Sequence, residues 1–486
     1  MLKKIILSIA GLILIVGFLH NKKPLPDFVS YESPVYEVQS DDVHLFKDTT
    51  YVNDAGVRSS DQEIFDEIFR MIDESQHYIL IDLFFYSDFT GIETSAYRQL
   101  ATELTQKLIQ RKAENPDIVI QVITDPINIM YGGHVSKDFE NLRENGIPVI
   151  VTDLRPLRDS NPIYSAFWRI GFQWFGNTTK KGFLPNPLDE KSPNLSLRTY
   201  LKMLNYKANH RKVVVTDYIK GGAIGFSTLI TSANPHDGSS AHSNIAVRVD
   251  SHTWKDVLQT ELAIANFSDE KFVYPSQEFI EKVVSRPEGT LIVQILTEGK
   301  IERRTIKEID STNAGDTIDI AMFYIADRDI VKALKRADDR GVSIRMLLDP
   351  NKDAFGREKN GTPNRQVAHE LIQSSDGNTT IRWCDTHGEQ CHSKLLIIEK
   401  NDRMTMMQGS ANYTKRNLQD YNLETNIVIT GKKDEAIFSD VEAFFETQWN
   451  NEKNKFYSTA YETYEENSTY KNIIYRLKEF TGLSRW

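Results

Sequence analysis

Two nine-residue stretches, versions of one another, set the tightest limit on what this chain folds into. The first is Asn209-His210-Arg211-Lys212-Val213-Val214-Val215-Thr216-Asp217. The second, 182 positions later, is Cys391-His392-Ser393-Lys394-Leu395-Leu396-Ile397-Ile398-Glu399. Each is a His-x-Lys pair, then four apolar or β-branched residues, then an acid, and each precedes a Ser-Ala-Asn triplet, Ser232-Ala233-Asn234 or Ser410-Ala411-Asn412. A short apolar run of this kind reads as a strand entering a buried sheet. Two copies in register call for a duplicated fold.

The flanking sequence repeats as well. In the first half, helical periodicity at 64, 65, 68, 69 and 72 is followed by the buried strand Tyr78 to Tyr86, a helix from Ser95 to Glu114, and a strand Ile118 to Thr124 that closes on Asp125-Pro126-Ile127-Asn128. In the second, strand-like Val293 to Leu296 and Ile318 to Tyr324 precede a helix from Asp329 to Arg340 capped by Gly341. A strand Val342 to Leu348 then closes on Asp349-Pro350-Asn351. The expectation is an α/β chain made of two tandem halves with mixed sheets, related by a pseudo-twofold and sharing one active-site cleft. The boundaries read as 1–23 anchor or signal, 24–35 linker, 36–275 first half, 276–455 second half and 456–486 amphipathic tail.

At 486 residues there is room for both halves. The net charge of −10 excludes a generally basic nucleic-acid binder, so any anion site is local. Met1-Leu2-Lys3-Lys4 followed by uncharged Ile5 to Leu19 has the layout of a signal sequence, but no Ala-x-Ala cleavage pattern follows. It is read as an uncleaved single-pass anchor, with a cleaved export signal as the other reading. Lys3, Lys4, Lys22 and Lys23 snorkel to make up its short apolar length. The terminal amine tips the orientation toward an extracytoplasmic catalytic body.

The first half carries an insertion at about 155–200, with Trp168, Trp174 and several Phe. It is expected to pack over the sheet or line the cleft; the other reading places its aromatics in a lipid interface. The tail sets Ile473, Ile474, Leu477, Phe480 and Leu483 at helical spacing, with Lys471, Arg476, Lys478 and Arg485 among them, and is expected to cap its own domain.

Along a strand, residues i and i+2 face the same way, so each His projects with its Lys. Asp217 and Glu399, seven positions after each His, fall on the other parity and read as structural acids. Two imidazoles, two ammonium groups and Asn234 and Asn412 in one cleft suit a phosphodiester. One neutral His attacks phosphorus, the other protonates the leaving oxygen, and Lys212, Lys394 and the two Asn hold the non-bridging oxygens, with no metal or other cofactor required.

The paired His-x-Lys-x4-acid pattern followed by Gly-Ser-x-Asn resembles the phospholipase D superfamily, whose members include cardiolipin synthases, phosphatidylserine synthases and some nucleases. The second copy is the fuller match, with Gly409-Ser410-Ala411-Asn412, Arg416-Asn417-Leu418 and Asn422 to Asn426. The resemblance implies that Glu424 orients a catalytic His. With Asn244 set against Asn426, His242 falls opposite Glu424, so the carboxylate is expected behind His392, which then starts as the acid while His210 attacks. The resemblance also favours His210 as nucleophile. The activity expected is that of a phospholipase D or phosphatidyltransferase on phospholipid at a membrane surface, the alternative being an anchored nuclease. The rival for the second motif is a zinc site from Cys384, His387, Cys391 and His392, against which a Cys384–Cys391 disulfide or free thiols are preferred.

Overall fold

The computed structural model describes residues 1–91, 97–178, 182–284, 287–354 and 357–484. Its two halves each form a large mixed sheet. In the first, the spatial order is Lys455–Phe456, Val43–Asn53, Asn244–Val249, Ala223–Thr231, Lys212–Lys220, Tyr78–Leu83, Val119–Thr124 and Val149–Val151, with Arg58–Gln62 paired to Val43–Asn53. In the second it is Tyr36–Val38, Leu291–Thr297, Thr425–Lys432, Arg403–Gly409, Lys394–Lys400, Thr317–Met322, Ser343–Leu348, Thr379–Cys384 and Ser458–Ala460. The orders correspond strand for strand through their centres. Each motif strand is antiparallel to the same neighbour in the same register, Lys212 opposite Leu83 and Lys394 opposite Met322.

The motif strands are apolar on both sides because both sides are covered. Val213, Val215, Leu395 and Ile397 face a common core in which the two sheets meet, filled by Trp254, Leu258, Phe438 and Phe444 from the helices that follow. Val214 faces the helices Ile64–Glu74 and Leu100–Glu114, and Leu396 and Ile398 face Gly299–Asp310 and Arg328–Asp339. The helix expected from Ser95 begins at Leu100, Ser95 itself lying outside the described residues.

Three boundaries differ from the sequence reading. Tyr36–Val38, read with the first half, pairs with Leu291–Thr297 of the second sheet. Lys455–Phe456, at the junction expected between the second half and the tail, returns to the first sheet beside Val52 and Asn53. The linker at 24–35 is a strap rather than a spacer: Val29 is fully buried and its carbonyl accepts from Arg211 Nη2 (3.3 Å) and Thr297 Oγ1 (2.6 Å). Ser33 N donates to Ile295 O at 2.9 Å, fixing the same segment to the second sheet.

The N-terminal helix Leu2–Lys22 contains a 20-residue stretch, Lys3–Lys22, apolar and long enough to cross a membrane. The tail forms the helix Thr469–Thr481, with Tyr475 and Glu479 turned inward; Ile473, Leu477 and Phe480 face outward, and Arg485 lies outside the described residues.

Candidate active site

Each motif His enters its strand from a loop held by an aspartate of the repeated Asp-Pro turn. Asn209 N donates to Asp125 Oδ2 (2.7 Å) and Cys391 N to Asp349 Oδ2 (2.8 Å), so the residue before each His is pinned in the same way. The next link crosses between halves: His210 N donates to Leu423 O (2.9 Å) and His392 N to Ser243 O (2.8 Å). Asp125 and Asp349 were not read as site residues, although the duplicated Asp-Pro-x-Asn and Asp-Pro-Asn turns were the signal that could have found them.

Both imidazoles line one cavity of about 470 Å³, together with Asn234, Asn412, His242 and Arg416. Lys212 and Lys394 are buried beneath it, and each ammonium donates to the carbonyl of its own His, at 2.9 and 2.6 Å. Phe84 and Phe323 occupy equivalent places, each ring 5.0 Å from the lysine Nζ and 4.7 or 4.9 Å from the imidazole. Asn234 Oδ1 accepts from Phe85 N at 3.2 Å.

The carboxylate lies on the other side from where the sequence put it. Glu424 does not back His392; its Oε2 is 2.9 Å from His210 Nδ1. Ser410 Oγ and Asn417 Nδ2 donate to the same carboxylate, and Glu424 N donates to Glu298 Oε1 at 2.8 Å. His392 Nδ1 instead faces Asn244 Oδ1 at 3.0 Å. Asn244 Nδ2 donates to His242 O (3.1 Å) and Ser232 Oγ donates to Asn244 Oδ1 (3.0 Å), which fixes the amide with its oxygen toward the imidazole. The structural counterpart of Glu424 is therefore Asn244, two places beyond the sequence alignment. From Ser232 to Asn244 the chain is two residues shorter than from Ser410 to Glu424, a span that holds the short helix Lys415–Leu418. His242 sits beside this pair, its ring centroid 5.9 Å from that of His392, with Nδ1 accepting from Gln390 N.

Burial dominates the titration. It pushes His210 down to about 4 against the opposing pull of Glu424, with Lys212 adding to the fall. His392 is held well below the usual imidazole value by burial, then by Lys394 and His242. Burial also brings Lys212 to about 7 despite Glu424, Asp82 and Asp125, and holds Lys394 well below the usual ammonium range. The site is thus two neutral imidazoles over two lysines of lowered basicity, a setting in which an entering anion gains electrostatically and changes the protonation of its surroundings.

Asp217 and Glu399 lie away from the cavity. Asp217 is buried and accepts from Ser75 Oγ (2.6 Å), His77 N (2.9 Å) and Tyr78 N (2.8 Å), fastening the start of the neighbouring strand. Glu399 pairs at the surface with Lys433 at 3.0 Å. Arg211 points the opposite way from His210 into a fully buried cluster with Glu261 (3.0 Å) and Glu298 (2.9 Å). Cys384 and Cys391 are joined in a disulfide, which withdraws both sulfurs from the zinc set. Among the described residues no group of three or more His, Cys, Asp or Glu is placed to hold a metal ion.

Residues 305–449 match the family model described as cardiolipin synthase, PLD-like domain. The crystal structure of phosphatidylserine synthase from Haemophilus influenzae Rd KW20 has the same fold, with a TM-score of 0.55 and 10% identity over 96% of this chain and 97% of that one. Polyphosphate kinase from Porphyromonas gingivalis aligns with a TM-score of 0.45 and 11% identity over 91% and 56% of the two chains. The phospholipase D family member Nuc from Salmonella typhimurium does so with 0.28 and 21% over 34% and 97%. No curated protein matches the chain by sequence.

Proposed function

Because this chain is an enzyme of the phospholipase D superfamily, we propose that it moves a phosphatidyl group from a phospholipid to water or an alcohol through a phosphohistidine intermediate. The observation that carries this is the pairing of two His–Lys sets, one from each half, at a single cavity whose lining combines the apolar Phe84, Phe85, Ile127, Leu188, Met203 and Leu204 with the cationic Lys207, Arg357, Lys359 and Arg416. The charged end suits a phosphodiester and the apolar wall suits glycerol and the first acyl carbons.

Glu424 accepts the proton on His210 Nδ1, which leaves the Nε2 lone pair directed at the cavity. His210 Nε2 attacks phosphorus, the bond from phosphorus to the headgroup oxygen breaks, and His392 Nε2 gives that oxygen its proton. The anion seated between Lys212 and Lys394 offsets the burial that keeps His392 neutral in the free protein, so Nε2 carries the proton when substrate is bound. Water or an alcohol then attacks phosphorus, His392 takes its proton, and the nitrogen–phosphorus bond breaks. Lys212, Lys394, Asn234 and Asn412 hold the non-bridging oxygens in both steps.

The single N-terminal pass and the disulfide support a catalytic body on the oxidising, extracytoplasmic side. The test uses the full chain in lipid, with His210→Ala as control, offered phospholipid vesicles plus glycerol and, separately, labelled oligonucleotides. Headgroup release or glycerol exchange that disappears in the variant is the expected result. Cleavage of oligonucleotides alone would replace the lipid reading with a nuclease.

A further inference from the structure

The N-terminal helix is fastened to the body by packing and by hydrogen bonds at its end. Its buried face, which includes Ile13 and Gly17, packs on the insertion helix Pro162–Ile170; a Cβ at Gly17 would lie 2.8 Å from Pro162 O, so this close approach requires glycine. At its end, Asp159 N donates to His20 O (3.1 Å) and Asn21 Nδ2 donates to Asp159 O (2.8 Å) and Tyr421 Oη (3.0 Å). The strap through Val29 follows a few residues later and ties the same segment to Arg211 and Thr297.

This sets a depth. At 1.5 Å per residue, Gly17 lies about 8 Å along the axis from Lys22, and Ile13 about 14 Å. If Lys22 and Lys23 mark the headgroup plane, a helix packed on Gly17 and Ile13 lies below it. The surface of that helix and of the turn after it fits the position. Phe167 and Ile170 are exposed, and Trp174 and Phe175 are 71% and 72% exposed. Arg169 is the one charge between Pro162 and Phe175, and it turns back to Asp159 through two bonds of 2.7 and 2.9 Å, an aspartate that Lys207 shares at 2.5 Å.

A second apolar face adjoins the first. The C-terminal helix Thr469–Thr481 exposes Leu477 and Phe480, the latter 81% exposed, and its cap Gly482 presses on Ser160 at the start of the insertion helix. Both elements are tied to the cavity wall by hydrogen bonds. Arg198, on the helix Leu197–Met203 whose Tyr200 and Met203 line it, donates to the carbonyls of Gln173 and Phe175. Arg416, also in the lining, donates to Ser484 O.

We propose that the insertion through Phe175 and the outer face of the C-terminal helix are embedded in the bilayer that holds the N-terminal helix, and that they seat the cavity mouth at the headgroups so that lipid enters laterally. This rests on the reading of a membrane-spanning, phospholipid-processing chain. It adds a monolayer-penetrating platform that selects substrate still resident in the membrane over substrate in solution.

The test places the full chain in phosphatidylcholine–phosphatidylglycerol vesicles and isolates Trp174 as the fluorescence difference between wild type and Trp174→Phe. The difference signal should fall at least twofold with lipids brominated near the glycerol end of the acyl chain and resist acrylamide. Quenching by acrylamide without quenching by brominated lipid overturns the platform. Phe175→Ser with Phe480→Ser should lower turnover of vesicle lipid at least tenfold and leave turnover of a monomeric short-chain phospholipid within twofold. Equal loss on both substrates overturns it. A chain stripped from vesicles by alkaline carbonate removes the spanning helix and the platform together. An inactive chain with lipid-quenched Trp174 removes the activity and supports the platform.

Discussion

His210 Nδ1 and Glu424 Oε2 lie 2.9 Å apart although 214 residues separate them and they belong to opposite halves of the chain. The contact favours the tautomer that exposes Nε2 and, on the proposed mechanism, supplies negative charge beside the phosphohistidine. Glu424→Gln preserves the shape and removes the charge. It is expected to lower kcat by about 10³ to 10⁴ with a small change in KM. Steady-state kinetics beside a thermal melt checks this; a loss under tenfold with an intact fold would argue that His210 is not the attacking group.

The matching change on the other side is Asn244→Asp, which gives His392 a carboxylate. An adjacent negative charge raises the affinity of an imidazole for its second proton. The variant should extend kcat, which depends on His392 holding its proton with substrate bound, to higher pH, leave the basic limb of kcat/KM in place, and still accumulate phosphate on His210. Alkaline quenching and peptide mass spectrometry locate the modified residue, and phosphate on His392 would exchange the two roles.

A bell-shaped profile of kcat/KM against pH follows from the free protein. His210 must be unprotonated to attack, so with its pKa near 4 the acidic limb rises through about 4. Lys212 must be protonated to receive the phosphodiester, so with its pKa near 7 the basic limb falls through about 7. Lys212→Met should remove the basic limb at much reduced rate. An unchanged limb in that variant would assign it elsewhere.

Arg211 binds Glu298, whose Oε1 also accepts Glu424 N, so the buried cluster reaches the carboxylate beside His210 through the backbone. Glu298→Ala leaves Arg211 with a smaller share of its charge compensated in a fully buried site. A destabilisation of about 3–5 kcal/mol is expected, measured by urea unfolding, together with lower kcat at temperatures where the variant stays folded.

The Cys384–Cys391 bond closes a short loop just ahead of His392. Replacing both with Ser should cost about 2–3 kcal/mol, the order expected for a loop of this length. Thiol titration of the unfolded chain with and without reductant tests the bond itself; two thiols without reductant would contradict it.

Much of this architecture was legible because both repeats are written in local pattern. The buried motif strands, the Asp-Pro turns and the Gly341 cap each follow from a few adjacent residues. The partner of Glu424 was not, because it depends on how two halves dock, and a loop two residues shorter before Asn244 shifted the alignment onto His242. The strap at 24–35 also escaped: its prolines suggest a spacer, whereas Val29 is held by Arg211 and Thr297, residues far along the chain. The tail's apolar stripe was visible, but which face it turns outward depends on Tyr475 and Glu479 docking on the second half.

The crossing of Glu424 to His210 and of Asn244 to His392 has an evolutionary reading. Two identical subunits meeting on a true dyad must give both imidazoles the same neighbour, and any substitution that tunes one alters the other. Covalent fusion of the halves lifts that constraint. One copy carries an acid and its sister an amide, so on the proposed mechanism attack and proton transfer can be tuned separately; in exchange, neither half expressed alone carries a histidine with its partner.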